Sequence, residues 1–273
     1  MLYDTIIVKQ RAPLSVIVLG PSQSGGGGYS PVSLFASGEV GDAWIPEREF
    51  CYTKTVGGIY ENVTTTGDET ARITGMVNNI NADQDTVSKR PAYSEGSGLS
   101  WLAFDGVDDA MATGTITPGV DKVQAFVGLR KESDTTLAIL LELGSQSGNV
   151  FFLAAPRTSG VGNYSFRTSG SAVHDAITLG SSYDAPISNI ITGLGDISGD
   201  VSRIRVNGSQ VAEVLTDQGT GLYADSPLYL GARVGNLFEY NGNMYGLITR
   251  FGPNLTDDQI ADTETYMAGR VTL

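Results

Sequence analysis

Between positions 99 and 251, apolar and polar residues alternate in short runs separated by turn-forming residues. The spacing predicts strands over 101–104, 123–129, 136–143, 150–154, 164–168, 187–192, 201–206, 210–215, 227–230 and 243–251. Side chains of a strand point alternately to its two faces, so this period of two marks strands with one buried side. The clearest alternation flanks Asn207-Gly208. Those two residues accept the positive φ angles that a two-residue hairpin turn requires. Many short strands joined by turns predict an all-β protein, an antiparallel jelly-roll β-sandwich.

One helix is expected, near the C-terminus. Thr256 is an N-cap, Gln259 stands three positions on to complete a capping box, and Leu255 can staple onto Ile260. Asp257 and Asp258 set negative charge against the positive end of the helix dipole. Ile260 and Met267 mark the buried stripe, and Gly269 closes the helix beside Arg270.

The N-terminal end reads differently. Two short β-like runs, 5–8 and 15–19, are followed by Pro21-Ser22-Gln23-Ser24 and the glycines Gly25 to Gly28. Consecutive glycines give the backbone its greatest freedom. Residues 1–28 are therefore expected to be an extended arm with a linker, and 29–273 the sandwich. Positions 29–98 carry no strong period.

The chain has 30 acidic and 17 basic residues, a net charge of −13. Such a surface repels phosphate backbones, which argues against nucleic acid as a partner. Neither N-terminal apolar run has the form of a signal peptide or of a membrane span. The single cysteine, Cys51, excludes an internal disulfide and reads as a small buried hydrophobe. Ser15 to Gly27 imitates a phosphate-binding loop but has glycines where the lysine and hydroxyl belong, and no helix follows.

Five stretches resemble the concanavalin A-like/laminin-G domains of tailed bacteriophages and secreted bacterial proteins. They are Trp101-Leu102-Ala103-Phe104-Asp105-Gly106-Val107-Asp108-Asp109, Arg205-Val206-Asn207-Gly208, Leu228-Tyr229-Leu230-Gly231-Ala232-Arg233, Tyr240 to Ile248 and Leu255 to Ile260. The segment Ser33 to Trp44 resembles phage-encoded members, whereas Asp85 to Pro91 matches their pattern only in part. The resemblance implies a non-enzymatic virion structural protein, either a capsid decoration or head-fibre subunit or a tail-associated adhesin. It would sit on the particle exterior as a homo-oligomer, attached to other virion proteins through the arm. The alternative is a carbohydrate-binding module that recognises a host-surface glycan; a glycoside hydrolase is the weaker third reading.

Candidate site residues follow from these readings. Tyr223 and Tyr240 fall in expected loops, where a ring can stack on a sugar, while Trp101 and Tyr245 fall in strands and are assigned to the core. Asp105, Asp108 and Asp109 crowd one turn. They either bond nearby backbone amides or gather a Ca²⁺ ion. Glycoside hydrolysis needs two cooperating carboxylates, and the residues two and four beyond Glu142 are Gly144 and Gln146. Glu142 is accordingly expected to be an outward-facing or hydrogen-bonded strand residue, and His174 an exposed loop histidine.

Overall fold

The computed structural model describes residues 28–144 and 148–271. The expected arm, except Gly28, lies outside the described residues. In chain order the first strands are β1 (Val40–Trp44), β2 (Cys51–Lys54), β3 (Tyr60–Asn62), β4 (Arg72–Thr74), β5 (Asn81–Asp83) and β6 (Ala92–Gly96). Next come β7 (Leu99–Asp105), β8 (Met111–Ile116), β9 (Lys122–Lys131), β10 (Ile139–Leu143), β11 (Phe151–Ala154) and β12 (Ser165–Ser169). The series ends with β13 (Val173–Ile177), β14 (Ile187–Asp196), β15 (Val201–Val206), β16 (Ser209–Val214), β17 (Ser226–Leu230) and β18 (Asn241–Phe251). The one α-helix among the described residues, α1 (Asp257–Ala268), follows.

The strands form an antiparallel sandwich. An eight-stranded sheet runs β16-β15-β14-β9-β18-β7-β6, with β1 also pairing to β18. One half of β18, from Asn241 to Met244, pairs with β7, and the other, from Leu247 to Phe251, pairs with β1. The ten-stranded sheet runs β13-β12-β11-β10-β17-β8-β5-β4-β2-β3. Between them lies the main core, where Val123, Ala125, Val127 and Leu129 of β9 join Leu141, Leu143, Phe151, Leu153 and Phe166.

Helix α1 covers the other face of the eight-stranded sheet. Thr256 and Gln259 close the expected capping box. Ile260 and Met267 bury against Phe126, Ile190, Tyr245 and Ile248, each contributing about 1.5–3 kcal/mol. The approach is close at Gly128, where a Cβ would come within 2.6 Å of the Val271 side chain. Strand β9 is thus buried on both faces, which is why it reads as an almost unbroken apolar run. Among the described residues no α-helix covers the outer face of the ten-stranded sheet, which is the open one.

Several expectations are adjusted by the structure. Asn207 and Gly208 adopt φ of 47° and 82° and form the expected tight hairpin between β15 and β16. Gly269 closes α1 with a right-handed φ of −66°. Positions 29–98 hold six strands, three of them only three residues long, too short to show a period. His174 lies in β13 opposite Thr168, and its Nε2 bonds the Asp217 carbonyl at 2.9 Å. Cys51 is buried, and burial holds its thiol well above the usual range. Among the described residues no helix is long and apolar enough to cross a membrane.

Candidate ligand-binding site

Tyr223 and Tyr240 do not form a sugar platform. Their exposures are 2% and 0%, and both belong to the main core. Tyr223 packs edge-on to Phe151 and Phe251, with its hydroxyl 2.5 Å from Thr168 Oγ1. Tyr240 packs on Phe104 and donates to the Arg130 carbonyl at 2.9 Å. Each ring gains apolar contact while its hydroxyl finds a partner, which stabilises a buried tyrosine. The loops carrying them turn inward. Trp101 and Tyr245 pack on one another at 5.5 Å, Tyr245 buried and Trp101 half-buried.

The three aspartates do meet. Asp105 Oδ1 accepts from the backbone N–H of Val107 and Asp108, and Asp109 Oδ2 accepts from that of Asp105 at 2.9 Å. One oxygen from each carboxylate lies within 4.8 Å of the others, so these residues form a turn and also offer a donor set for a hard cation. Burial, reinforced by the charges of Asp105, Asp108 and Glu69, pushes the Asp109 carboxyl up to about 7, against one backbone hydrogen bond.

Glu142 faces outward from β10 yet is buried. Arg233, from the loop after β17, crosses the sheet to place Nε 2.9 Å from Glu142 Oε1, and the Val234 N–H reaches Oε2 at 3.3 Å. Burial pushes this carboxyl up while Arg233 pulls it down. A carboxylate so engaged is a structural partner.

Glu142 belongs to a larger arrangement. Pairing places Arg72 opposite Asp83, Asp83 opposite Ala112, Ala112 opposite Tyr229, and Tyr229 opposite Glu142. Phe152 stands opposite Glu142, then Arg167 and Asp175 continue the line. Because alternate residues share a face, these side chains form one row across the open sheet. Arg72 holds Asp83 by two hydrogen bonds, 2.6 and 3.1 Å, and lies 3.9 Å from the Tyr60 ring centre.

Beside this row at β5 and β8 opens a cavity of about 530 Å³. Asn81, Asp83, Thr115 and Thr117 give it polar groups, and Ile80 and Ile116 give it apolar wall. Its shape depends on Asp42, a residue that sequence reasoning passed over. The buried Asp42 carboxylate accepts the backbone N–H of Ala43, Val77, Asn78 and Ile80 at 2.8–3.1 Å. These bonds hold the turn that leads into β5. Gly75 allows the approach, since a Cβ there would lie 2.0 Å from the same carboxyl.

The architecture has a counterpart among solved structures. The chain is similar to domain 4 of an extracellular GH43 arabinanase from Geobacillus stearothermophilus, solved in complex with arabinotriose. The TM-score is 0.53 at 16% identity, over 82% of this chain and 97% of that domain. The fold is a lectin-like β-sandwich. Two further structures overlap with lower scores. The CBM40 of a Ruminococcus gnavus IT-sialidase bound to α2,3-sialyllactose gives 0.42 at 14% identity, over 55% of this chain and 83% of that one. The receptor-binding domain of botulinum neurotoxin D gives 0.48 at 11% identity, over 73% and 52%. No family model and no curated protein matches the sequence.

Proposed function

We propose that this sandwich is a carbohydrate-binding module that receives a glycan at the cavity beside Asn81 and Asp83. The observation carrying this reading is the cavity itself, about 530 Å³ at the edge of the sandwich, where β5 and the end of β8 meet Val40 of β1. That volume falls within the range of small-molecule sites. A carboxylate, a carboxamide and two hydroxyls match the hydroxyls of a sugar, and Ile80 and Ile116 match its C–H surface. The arabinanase domain of the same fold, solved in complex with arabinotriose, supports the choice of ligand class. Binding without turnover is favoured because Glu142 is committed to Arg233.

Glycan-array screening followed by calorimetric titration tests the reading. Asn81→Ala and Thr115→Ala are expected to weaken the selected glycan by about 1 kcal/mol each, the worth of one hydrogen bond, with Tm unchanged. A protein that retains no glycan on the array overturns it.

The setting we propose is the exterior of a tailed-phage particle, with several copies attached to other virion proteins through residues 1–28. The resemblance of the segments around Trp101, Asn207, Tyr229 and Thr256 to phage laminin-G-like domains supports it. Deletion of residues 1–28 is expected to leave a folded sandwich that no longer joins particles; continued incorporation overturns the assignment of the arm.

A further inference from the structure

One strand beyond Glu142, the Phe152 ring is surrounded by three guanidinium groups. Those of Arg167, Arg233 and Arg157 lie 4.8, 5.1 and 5.8 Å from its centre. They come from β12, from the loop after β17 and from the loop after β11. Only two carboxylates answer them. Among the described residues, Arg157 and Arg167 both pair with Asp175, and Arg233 pairs with Glu142. Three cations meet two acids, in a chain with 13 more acids than bases.

The depth of these groups matters more than their count. The side chains of Glu142 and Asp175 are 0% and 12% exposed, whereas those of Arg167 and Arg157 are 22% and 27% exposed. Solvent therefore meets guanidinium, with the acids behind it. Asp175 holds Arg167 by both Nε and Nη2 but Arg157 by Nε alone, so Nη1 of Arg167 and both terminal nitrogens of Arg157 stay outside this pairing. A planar guanidinium held this way matches a carboxylate through parallel N–H···O bonds, with little ordering left to do on binding.

Beside the arginines, Val234 and Phe238 stand exposed on the loop after β17. Both adopt left-handed backbone, φ 49° and 56°. For a β-branched valine this conformation is costly and persists only where its surroundings impose it. Reciprocal hydrogen bonds between Arg233 and Leu237, at 2.7 and 3.1 Å, close the loop and present the apolar pair next to the charges.

We propose that Arg157 and Arg167 form a carboxylate subsite, and that the glycan taken by this module carries an acidic sugar whose ring meets Val234 and Phe238. The inference rests on the carbohydrate-binding reading and refines its ligand class. Arg167 on β12 and the Asn81 cavity on β5 stand five strand spacings apart along the row, or about 24 Å. An oligosaccharide with its acidic unit over β11 and β12 reaches both.

The test uses the full chain on an array of neutral, sulfated, and uronic- or ulosonic-acid-bearing oligosaccharides. Each captured acidic glycan is then titrated beside its methyl ester. Carboxylated glycans are expected to be selected, and esterification to weaken binding roughly tenfold or more, as the loss of a charge-assisted pair implies. Arg157→Gln and Arg167→Gln should reproduce that loss. Where Arg167→Gln lowers Tm, Arg157→Gln, on a loop, carries the comparison. Equal affinity for the ester, preference for sulfated glycans, or unchanged binding in Arg157→Gln overturns the subsite. Capture of neutral glycans alone, lost in Asn81→Ala, overturns it and leaves the module intact, whereas capture of none removes both.

Discussion

Arg233 and Glu142 are separated by 91 positions in the chain, yet their side chains meet at 2.9 Å on the outer face of the ten-stranded sheet, both buried. Removing one member leaves the other charge in a desolvated place. Glu142→Leu and Arg233→Met are each expected to cost about 3–5 kcal/mol in chemical denaturation, whereas the double variant Glu142→Leu/Arg233→Met should recover most of the loss. Additive losses would show that the two groups are not energetically coupled.

Asp42 gathers four backbone N–H groups on one carboxylate. Asp42→Ala would leave them without that partner in a half-buried turn. We expect a loss of about 3 kcal/mol or more, since each unsatisfied buried donor costs about 1–3 kcal/mol. Hydrogen exchange should rise first at Val77, Asn78 and Ile80. Protection retained at those three amides would contradict this account.

Asp109 gives the fold a pH dependence of a definite sign. Its carboxyl is pushed up to about 7 from an ordinary 3.8, so the folded state holds a proton that the unfolded chain has released. The stability this group contributes is full below about pH 4 and is lost as pH climbs through about 7. Asp109→Asn should therefore leave stability near pH 4 almost unchanged and raise it at pH 8 by about 1–2 kcal/mol, allowing for relaxation around the site. Thermal melts across pH 4–9 check this. Repeating them at pH 8 with millimolar Ca²⁺ distinguishes a cation site, where Tm rises in wild type and not in Asp109→Asn, from a turn, where neither moves.

Two tyrosines should respond in opposite ways. Tyr223 is enclosed among Phe151, Phe251 and Thr168, so Tyr223→Ala is expected to cost about 3–5 kcal/mol. Tyr229 lies half-buried in the open row, so Tyr229→Ala should cost under 1.5 kcal/mol while weakening glycan retention. Unchanged retention in Tyr229→Ala would place the glycan elsewhere.

Local chemistry was readable from the chain alone. The Asn207-Gly208 hairpin and the Thr256 cap rest on residues within a few positions of each other, and both form as expected. The strands β3, β4 and β5, each three residues long, leave no periodic trace. A position between strands does not reveal burial, which is why Tyr223 and Tyr240 read as surface groups. The row escaped notice for a different reason. Glu142 and Phe152 sit on consecutive strands, but Tyr229 and Asp83 join them only through strands far apart in the chain.

Because that row exists only as a line of directly opposed residues, its integrity depends on register. Inserting one residue in the middle of β10 would send Glu142 toward the core and an apolar neighbour toward solvent, splitting the face in two. Loops at the sandwich ends can lengthen without touching it. Divergence in this architecture should therefore preserve strand lengths along β5, β8, β17, β10 and β11, with Glu142 and Arg233 kept or exchanged as a pair.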